Sequence, residues 1–121
     1  MKYNYLLLAV LDRYARSEGI KEIIYFDIEL IPKGYYGLIT YERARIKIDC
    51  PTLKDTILSL IHEIGHWLAY KRHNKKYTGL FHYKKYREKM AYLYGWFIIK
   101  KFKLNISKNT WRWFNSRNIA L

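Results

Sequence analysis

The 121-residue sequence has few of the features that mark secreted or membrane-spanning proteins. Its one cysteine, Cys50, cannot form a disulfide within the chain, which is typical of proteins in a reducing compartment. The longest charge-free run of aromatic and aliphatic residues, MAYLYGWFII, is much shorter than the roughly 20 residues that cross a bilayer. The apolar N-terminal stretch reaches Asp12 and Arg13 without a small-residue cleavage site, so we expect no signal peptide. These absences predict a cytoplasmic protein that does not contact a membrane.

Acidic residues are scarce as well: 10 Asp and Glu stand against 23 Lys and Arg, which leaves a formal net charge of +13. A field of this sign attracts polyanions, which makes proximity to nucleic acid one expectation. The basic residues are spread along the chain without a compact tract, however, and a biased composition explains them equally well. Half of the residues are apolar, and no repeat or Pro/Gly-rich linker divides the sequence, so we expect one domain over residues 1–121.

The order of hydrophobic patterns predicts an α+β fold. Helical periodicity, with Gly19 as a stop signal and Thr52 and Ser107 as caps, predicts helices over residues 3–18, 52–73 and 83–102 and a short helix after Ser107. Alternating and β-branched stretches predict a small three-stranded sheet over residues 22–30, 37–42 and 44–49. In the last of these strands Ile46 and Ile48 alternate with polar residues, and we expect this strand at the edge of the sheet.

The most informative residues are His62, Glu63 and His66, which form an HExxH motif on the predicted helix over residues 52–73. At i and i+4 the two imidazoles project side by side, so both can bind one metal ion. Zinc accepts neutral imidazole nitrogens at about 2.0–2.1 Å. Glu63 is adjacent to the first ligand and can accept a proton from a water whose pKa zinc lowers to about 7. Gly65 costs this helix roughly 1 kcal/mol relative to alanine; a strand or substrate that passes close to the helix would explain it, and so would tolerated drift.

A catalytic zinc needs a third protein ligand and an open position. His73 lies two turns beyond His66, too far along the helix axis to share the ion. His82 falls in a predicted loop, whereas Glu88 lies near the start of the next helix, so we prefer Glu88. On that helix the small residues Ala91 and Gly95 allow a close approach to the motif helix. The larger residues expected to form the apolar stripe are Tyr86, Met90, Leu93 and Phe97.

With HEIGH over residues 62–66 and Glu88-x-x-Ala91, the sequence resembles the ImmA/IrrE family of gluzincin-type metallopeptidases. That family follows HExxH with a helix of the form E-x-E-A-N-x-F-A, and EKMAYLYG matches it at Glu88, Ala91, Tyr94 and Gly95. The stretch GLITYERARIKID is also similar to the small sheet of the family, so the resemblance covers roughly residues 37–100. It implies a minimal zincin-like fold in which His62, His66 and Glu88 bind zinc. Glu63 would act as the general base in peptide-bond hydrolysis.

Two positions depart from the family pattern. Met90 replaces the second Glu, which we interpret as a difference at the surface. Tyr92 stands where the family often has Asn or Asp, a residue able to orient a zinc-binding histidine. Loss of such a partner would weaken zinc affinity or activity about 10–100-fold unless another group substitutes for it.

We therefore expect a zinc metallopeptidase that acts on an intracellular protein, such as a DNA-bound regulator, with the substrate paired to the edge strand over residues 44–49. One alternative is an SprT-like, DNA-associated protease with His82 as the third ligand, which the net charge would suit. Another is a non-catalytic, basic, zincin-like binding or inhibitor protein. His82, Tyr77 and Tyr83 are also candidates for lining the cleft, although ordinary surface positions explain them as well. The sequence does not predict the oligomeric state.

Overall fold

The computed structural model describes residues 3–25, 37–73 and 84–119, which form an α+β arrangement of four helices and one three-stranded sheet. The helices are α1 (Tyr5–Ser17), α2 (Leu53–His73), α3 (Lys84–Lys101) and α4 (Lys108–Ile119), and the strands are β1 (Glu22–Tyr25), β2 (Gly37–Thr40) and β3 (Arg45–Ile48). The predicted α+β class and order of elements are confirmed over these residues. The rest of the first predicted strand, residues 26–30, lies outside the described residues. No helix in the described part of the chain is long and apolar enough to span a membrane.

Local signals set the helix ends where the sequence predicts them. Thr52 Oγ1 accepts a hydrogen bond from the backbone N–H of Asp55 at 3.1 Å, and Ser107 Oγ accepts one from Thr110 at 3.1 Å. These side chains satisfy N–H groups that have no partner within the first helical turn. Gly19 follows α1 with φ at +109°, a conformation that glycine adopts without a steric penalty. The end of α1 therefore requires this glycine.

The sheet has the strand order β1-β3-β2, with β3 parallel to β1 and antiparallel to β2. The prediction that residues 44–49 form an edge strand is therefore wrong. Ile46 and Ile48 are buried as their alternation predicts, at 0% and 1% exposure. Alternation reports that one face of a strand is covered, but it carries no information about how many neighbouring strands pair with the backbone. Within the described sheet, β1 and β2 form the edges.

The helix α2 lies at the centre of the fold and contacts the sheet and the three other helices. Its residues from Ile57 to Trp67 are all buried. Because the helix is covered on nearly all sides, its hydrophobic stripe is accompanied by buried polar residues, including His62 and His66. This placement puts the HExxH motif in the interior.

The helix α3 packs against α2 through small residues, as predicted. A Cβ atom added at Gly65 would lie 2.6 Å from the carbonyl oxygen of Ala91 and 3.0 Å from the backbone nitrogen of Gly95. The close neighbour that Gly65 requires is therefore α3, and not a strand or a substrate. This contact brings the two backbones close enough for short side chains on α3 to reach the HExxH motif.

The predicted position of the apolar stripe on α3 is wrong. Leu93 and Phe97 are 47% and 55% exposed, and the buried residues are Ala91, Gly95, Ile98 and Ile99. Apolar residues surround this helix on several sides, so periodicity does not single out the buried face. The close contact with α2 decides which face of α3 is buried, because only the face with Ala91 and Gly95 allows the two helix backbones to lie so near each other.

Candidate metal centre

Two helices bring the predicted ligands together. His62 and His66 lie one turn apart on α2, with ring centroids 4.9 Å apart. Glu88 in α3 contacts both, with Oε2 2.8 Å from His62 Nε2 and Oε1 3.4 Å from His66 Nε2. One ligand atom from each of the three residues lies within 4.8 Å of the other two. The three residues therefore form a group that can hold a metal ion.

Burial and charge together set the protonation of this group. Burial acts to lower the pKa of His62, but its hydrogen bond to Glu88 and the charges of Glu63 and Glu88 outweigh burial and raise the pKa. Burial acts to raise the pKa of Glu88, yet the hydrogen bonds to His62 and His66 prevail, and the pKa is lowered. In the metal-free protein, a protonated His62 paired with an ionised Glu88 is thus favoured. A metal ion bound here must displace that proton.

Glu63 follows His62 on α2 and is 6% exposed. Burial raises the pKa of Glu63, and the positive charges of His66 and His62 only partly oppose this shift. Gly37 of β2 packs directly onto it, because a Cβ atom there would lie 3.1 Å from Glu63 Cγ and 2.7 Å from Ser59 Oγ. A carboxylate with a raised pKa beside a metal-binding group is suited to accept a proton.

The helix α4 supplies a contact that the sequence does not predict. Asn115 is 1% exposed, and its Oδ1 lies 2.6 Å from His62 Nδ1. Its Nδ2 donates a hydrogen bond to the carbonyl oxygen of Trp111 at 2.7 Å. His62 and Asn115 are 53 positions apart, and no motif spacing connects them. The one signal that could have identified Asn115 is its position one turn after the aromatic Trp111 on the predicted helix that follows Ser107.

Tyr92 occupies the position at which the resemblance implies a partner for a zinc-binding histidine. Its side chain is half-buried against the hydrophobic core, and its carbonyl oxygen accepts a hydrogen bond from Trp111 Nε1 at 3.0 Å. The polar contact to His62 Nδ1 comes from Asn115 instead. The side-chain contact to His62 Nδ1 is thus made from α4, and not from position 92.

The remaining candidates do not join the group in the described residues. The ring of His73 packs edge-on near Tyr94, with centroids 6.4 Å apart. His82, Tyr77 and Tyr83 lie outside the described residues. The structure thus brings together His62, His66 and Glu88, with Glu63 next to them on α2.

The donor set is chemically suited to a metal ion. With Nδ1 of His62 directed at Asn115, its Nε2 is the nitrogen that faces Glu88. Two imidazole nitrogens and a carboxylate are ligands that divalent transition metals accept. Within the described ranges this group offers three possible ligand residues.

No protein-family model matches this chain, and no curated protein or solved structure matches it significantly. The class of protein is therefore defined by its fold and its site. It is an α+β protein with a buried His-His-Glu group able to hold a metal ion and a buried glutamate beside it.

Proposed function

We propose that this protein is a zinc metallopeptidase of the gluzincin type, similar to the ImmA/IrrE family, that hydrolyses a peptide bond in a protein substrate. The observation that carries the proposal is the contact of Glu88 with both His62 and His66, at 2.8 and 3.4 Å. Helical spacing accounts for the two histidines lying side by side, but it does not require a carboxylate 26 positions from His62 to reach both of them. Two histidines, one carboxylate ligand and an adjacent base are the parts of a hydrolytic zinc site.

Each residue of the site has a defined role in this proposal. His62, His66 and Glu88 hold the zinc ion, which when bound polarises the scissile carbonyl and acidifies water. Glu63 accepts the proton of the attacking water and transfers it to the leaving nitrogen. Burial raises the pKa of Glu63, which makes its carboxylate a better proton acceptor than an exposed one. Gly37 lets β2 lie directly against Glu63.

The substrate is assigned to the edge of β2, and not to residues 44–49. Among the described strands β2 pairs with β3 on one side, and its Gly37 packs against Ser59 and Glu63 of α2. The outer edge of such a strand offers backbone donors and acceptors to an extended chain. The net charge of +13 favours a substrate that is acidic or bound to nucleic acid.

The decisive variant for the proposed activity is Glu63→Gln, because the amide is similar in shape but cannot take the proton. Zinc-loaded wild-type protein and variant are incubated with a peptide library prepared from a digested proteome, and mass spectrometry identifies new termini. We expect the variant to retain zinc and lose cleavage at least about 100-fold. The exposed Glu42→Gln serves as the matched control and should cleave as the wild type does. Equal cleavage by Glu63→Gln and wild type would remove Glu63 from the mechanism.

Elemental analysis of the same proteins separates the alternatives. The wild type should carry about one zinc per chain, and His62→Ala, His66→Ala and Glu88→Ala should each lose most of it. If Glu88→Ala retains zinc and His82→Ala loses it, the SprT-like alternative is correct. If the wild type holds zinc at these three residues but cleaves nothing, the alternative of a non-catalytic binding protein is correct.

A further inference from the structure

We propose that Asn115 is a positioning residue of the metal centre, which holds the imidazole of His62 so that Nε2 faces Glu88 and His66. The helix α4 is then a part of the site and not only a cover of the core. This inference rests on the metal-binding part of the proposed function and is independent of peptidase activity.

The hydrogen bonds of Asn115 determine how its amide group lies. The carbonyl oxygen of Trp111 can only accept a hydrogen bond, so the group 2.7 Å from it must be the Nδ2 amide of Asn115. The other end of the amide, Oδ1, then faces His62 Nδ1 at 2.6 Å. Since an amide oxygen can only accept, Nδ1 carries the proton of this hydrogen bond. In the neutral imidazole this leaves the lone pair on Nε2, the nitrogen on the side of Glu88.

The hydrogen bond between His62 and Asn115 is buried, so no other acceptor readily replaces it. His62 and Asn115 are 2% and 1% exposed, and bulk water therefore does not reach Nδ1 to take the place of Oδ1 as the acceptor. A buried Nδ1–H without an acceptor would favour rotation of the ring or the other tautomer. Ring rotation would turn the Nε2 lone pair away from a bound ion, and the other tautomer would place a proton on Nε2 where the ion would bind. Contacts of this kind typically account for a 10–100-fold difference in metal affinity.

The backbone that carries Asn115 is itself anchored on α3. Trp111 is fully buried, and its indole occupies the space that the missing side chain of Gly95 leaves open. Its Nε1 donates a hydrogen bond to the carbonyl oxygen of Tyr92 at 3.0 Å. Asn115 follows Trp111 by one helical turn, so the two contacts place the amide opposite His62. The ring of Phe114, also buried, packs near His62 with centroids 6.3 Å apart.

The test compares two substitutions that differ in whether an acceptor remains. Asn115→Asp retains an oxygen for His62 Nδ1 but loses the donor to Trp111, whereas Asn115→Leu has similar volume and offers neither. Ser116→Ala, at the exposed neighbouring position, is the control. Zinc affinity is measured by competition with a chelator of known affinity. Nitrogen-resolved NMR of the zinc-loaded proteins reports the Nδ1 proton of His62, whose signal is assigned through its couplings within the imidazole ring.

We expect Asn115→Leu to bind zinc about 10–100-fold more weakly and to lose the protected Nδ1–H signal, while Asn115→Asp and Ser116→Ala stay close to the wild type in both measurements. A structural role alone would lower the thermal stability of the metal-free Asn115→Leu protein and leave its zinc affinity and the Nδ1–H signal unchanged. That result would overturn the inference. If Asn115→Leu does not fold, the smaller Asn115→Val is judged by the same two measurements.

The outcomes also separate this inference from the proposed function. If the wild type binds no zinc, both fail together. If the wild type binds zinc and cleaves peptides while Asn115→Leu binds zinc equally well, only this inference fails. If Asn115→Leu loses zinc affinity as expected but the wild type cleaves nothing, the positioning role stands and the peptidase proposal falls.

Discussion

His62 makes the most contacts within the candidate metal centre, because both of its ring nitrogens have a partner. Nδ1 lies 2.6 Å from Asn115 Oδ1, and Nε2 lies 2.8 Å from Glu88 Oε2. In the absence of a metal the second contact is that of an ion pair, which raises the pKa of His62 and lowers the pKa of Glu88. The pairing of His62 with Glu88 limits the cost of burying these two groups in the metal-free protein.

This pair predicts how the stability of the metal-free protein depends on pH. Glu88, with a lowered pKa, stabilises the fold above its ordinary value of 4.5, and this contribution is lost as the pH falls. His62, with a raised pKa, stabilises the fold below its ordinary value of 6.5, and this contribution is lost as the pH rises. The contribution of the pair is therefore largest between these two values. We expect the advantage in melting temperature of wild type over Glu88→Gln to be greatest there and to shrink at lower and at higher pH.

The measurement is a series of thermal melts in the presence of a chelator, so that no bound metal replaces the ion pair of His62 and Glu88. Glu42→Gln carries the same chemical change at an exposed position and should follow the wild type at every pH. A difference between wild type and Glu88→Gln that stays constant over the whole range would show that the pair does not form.

At the scale of the elements, two glycines determine how closely the helices around the site approach each other. Gly65 lets the backbone of α3 lie against α2, and Gly95 leaves room for the Trp111 indole of α4. These contacts connect α2 to α3 and α3 to α4. The hydrogen bond between His62 and Asn115 then connects α4 directly to α2. The geometry of the metal centre therefore depends on packing between helices as well as on the ligands themselves.

We expect Gly95→Ala to destabilise the protein and to weaken zinc binding, although alanine favours helices. The added Cβ would overlap the buried indole of Trp111, which must move and carry Asn115 with it. Overpacking costs about 1–3 kcal/mol, and the severe overlap with the indole puts this site at the upper end of that range. The gain in helix propensity offsets about 1 kcal/mol, so we expect a net loss of about 2 kcal/mol in the free energy of unfolding. Urea denaturation of the metal-free protein and chelator competition measure the two effects.

Lys85→Ala, at an exposed position of the same helix, is the control and should change neither quantity appreciably. If Gly95→Ala is destabilised as expected but binds zinc with wild-type affinity, the movement of Trp111 is not transmitted to His62. An unchanged or increased stability would mean that the Trp111 indole accommodates the added Cβ without loss of packing.

At the scale of the whole molecule, the metal centre joins parts of the chain that are far apart in sequence. Glu88 and Asn115 lie 26 and 53 positions from His62, on two further helices that both pack around α2. A metal ion held by α2 and α3 crosslinks these helices in the folded state, and the unfolded chain has no preformed site. Binding free energy therefore adds to the free energy of folding.

We expect zinc to raise the melting temperature of the wild type and EDTA to reverse this change. At free zinc about 100-fold above the dissociation constant, the stabilisation is about 2.7 kcal/mol, which for a chain of this size corresponds to a shift on the order of 10 °C. His66→Ala lacks a ligand and should melt at the same temperature with zinc and with EDTA. Zinc-dependent stabilisation of this variant as large as that of the wild type would place the metal elsewhere.

Much of this architecture follows from local sequence. The periodicity, the caps Thr52 and Ser107 and the stop at Gly19 predicted all four helices, because such signals act between residues a few positions apart. The same is true of His62 and His66, whose side-by-side placement is a property of the helix. The long-range contact of Glu88 was anticipated from the resemblance to a family and from the small face of α3.

Other features were decided only by the tertiary structure. The alternation of Ile46 and Ile48 is compatible with a strand at the edge or in the centre of the sheet. Strands pair through backbone atoms that all residues share, so the side-chain pattern does not distinguish the two positions. The buried face of α3 was chosen by its contact with Gly65, against the apolar stripe that includes Leu93 and Phe97. In the sequence, Asn115 is one polar residue on an aromatic-rich helix, and the packing of Trp111 is what places it opposite His62. A hydrogen bond between two helices depends on where the fold brings these helices together, and local sequence does not determine that.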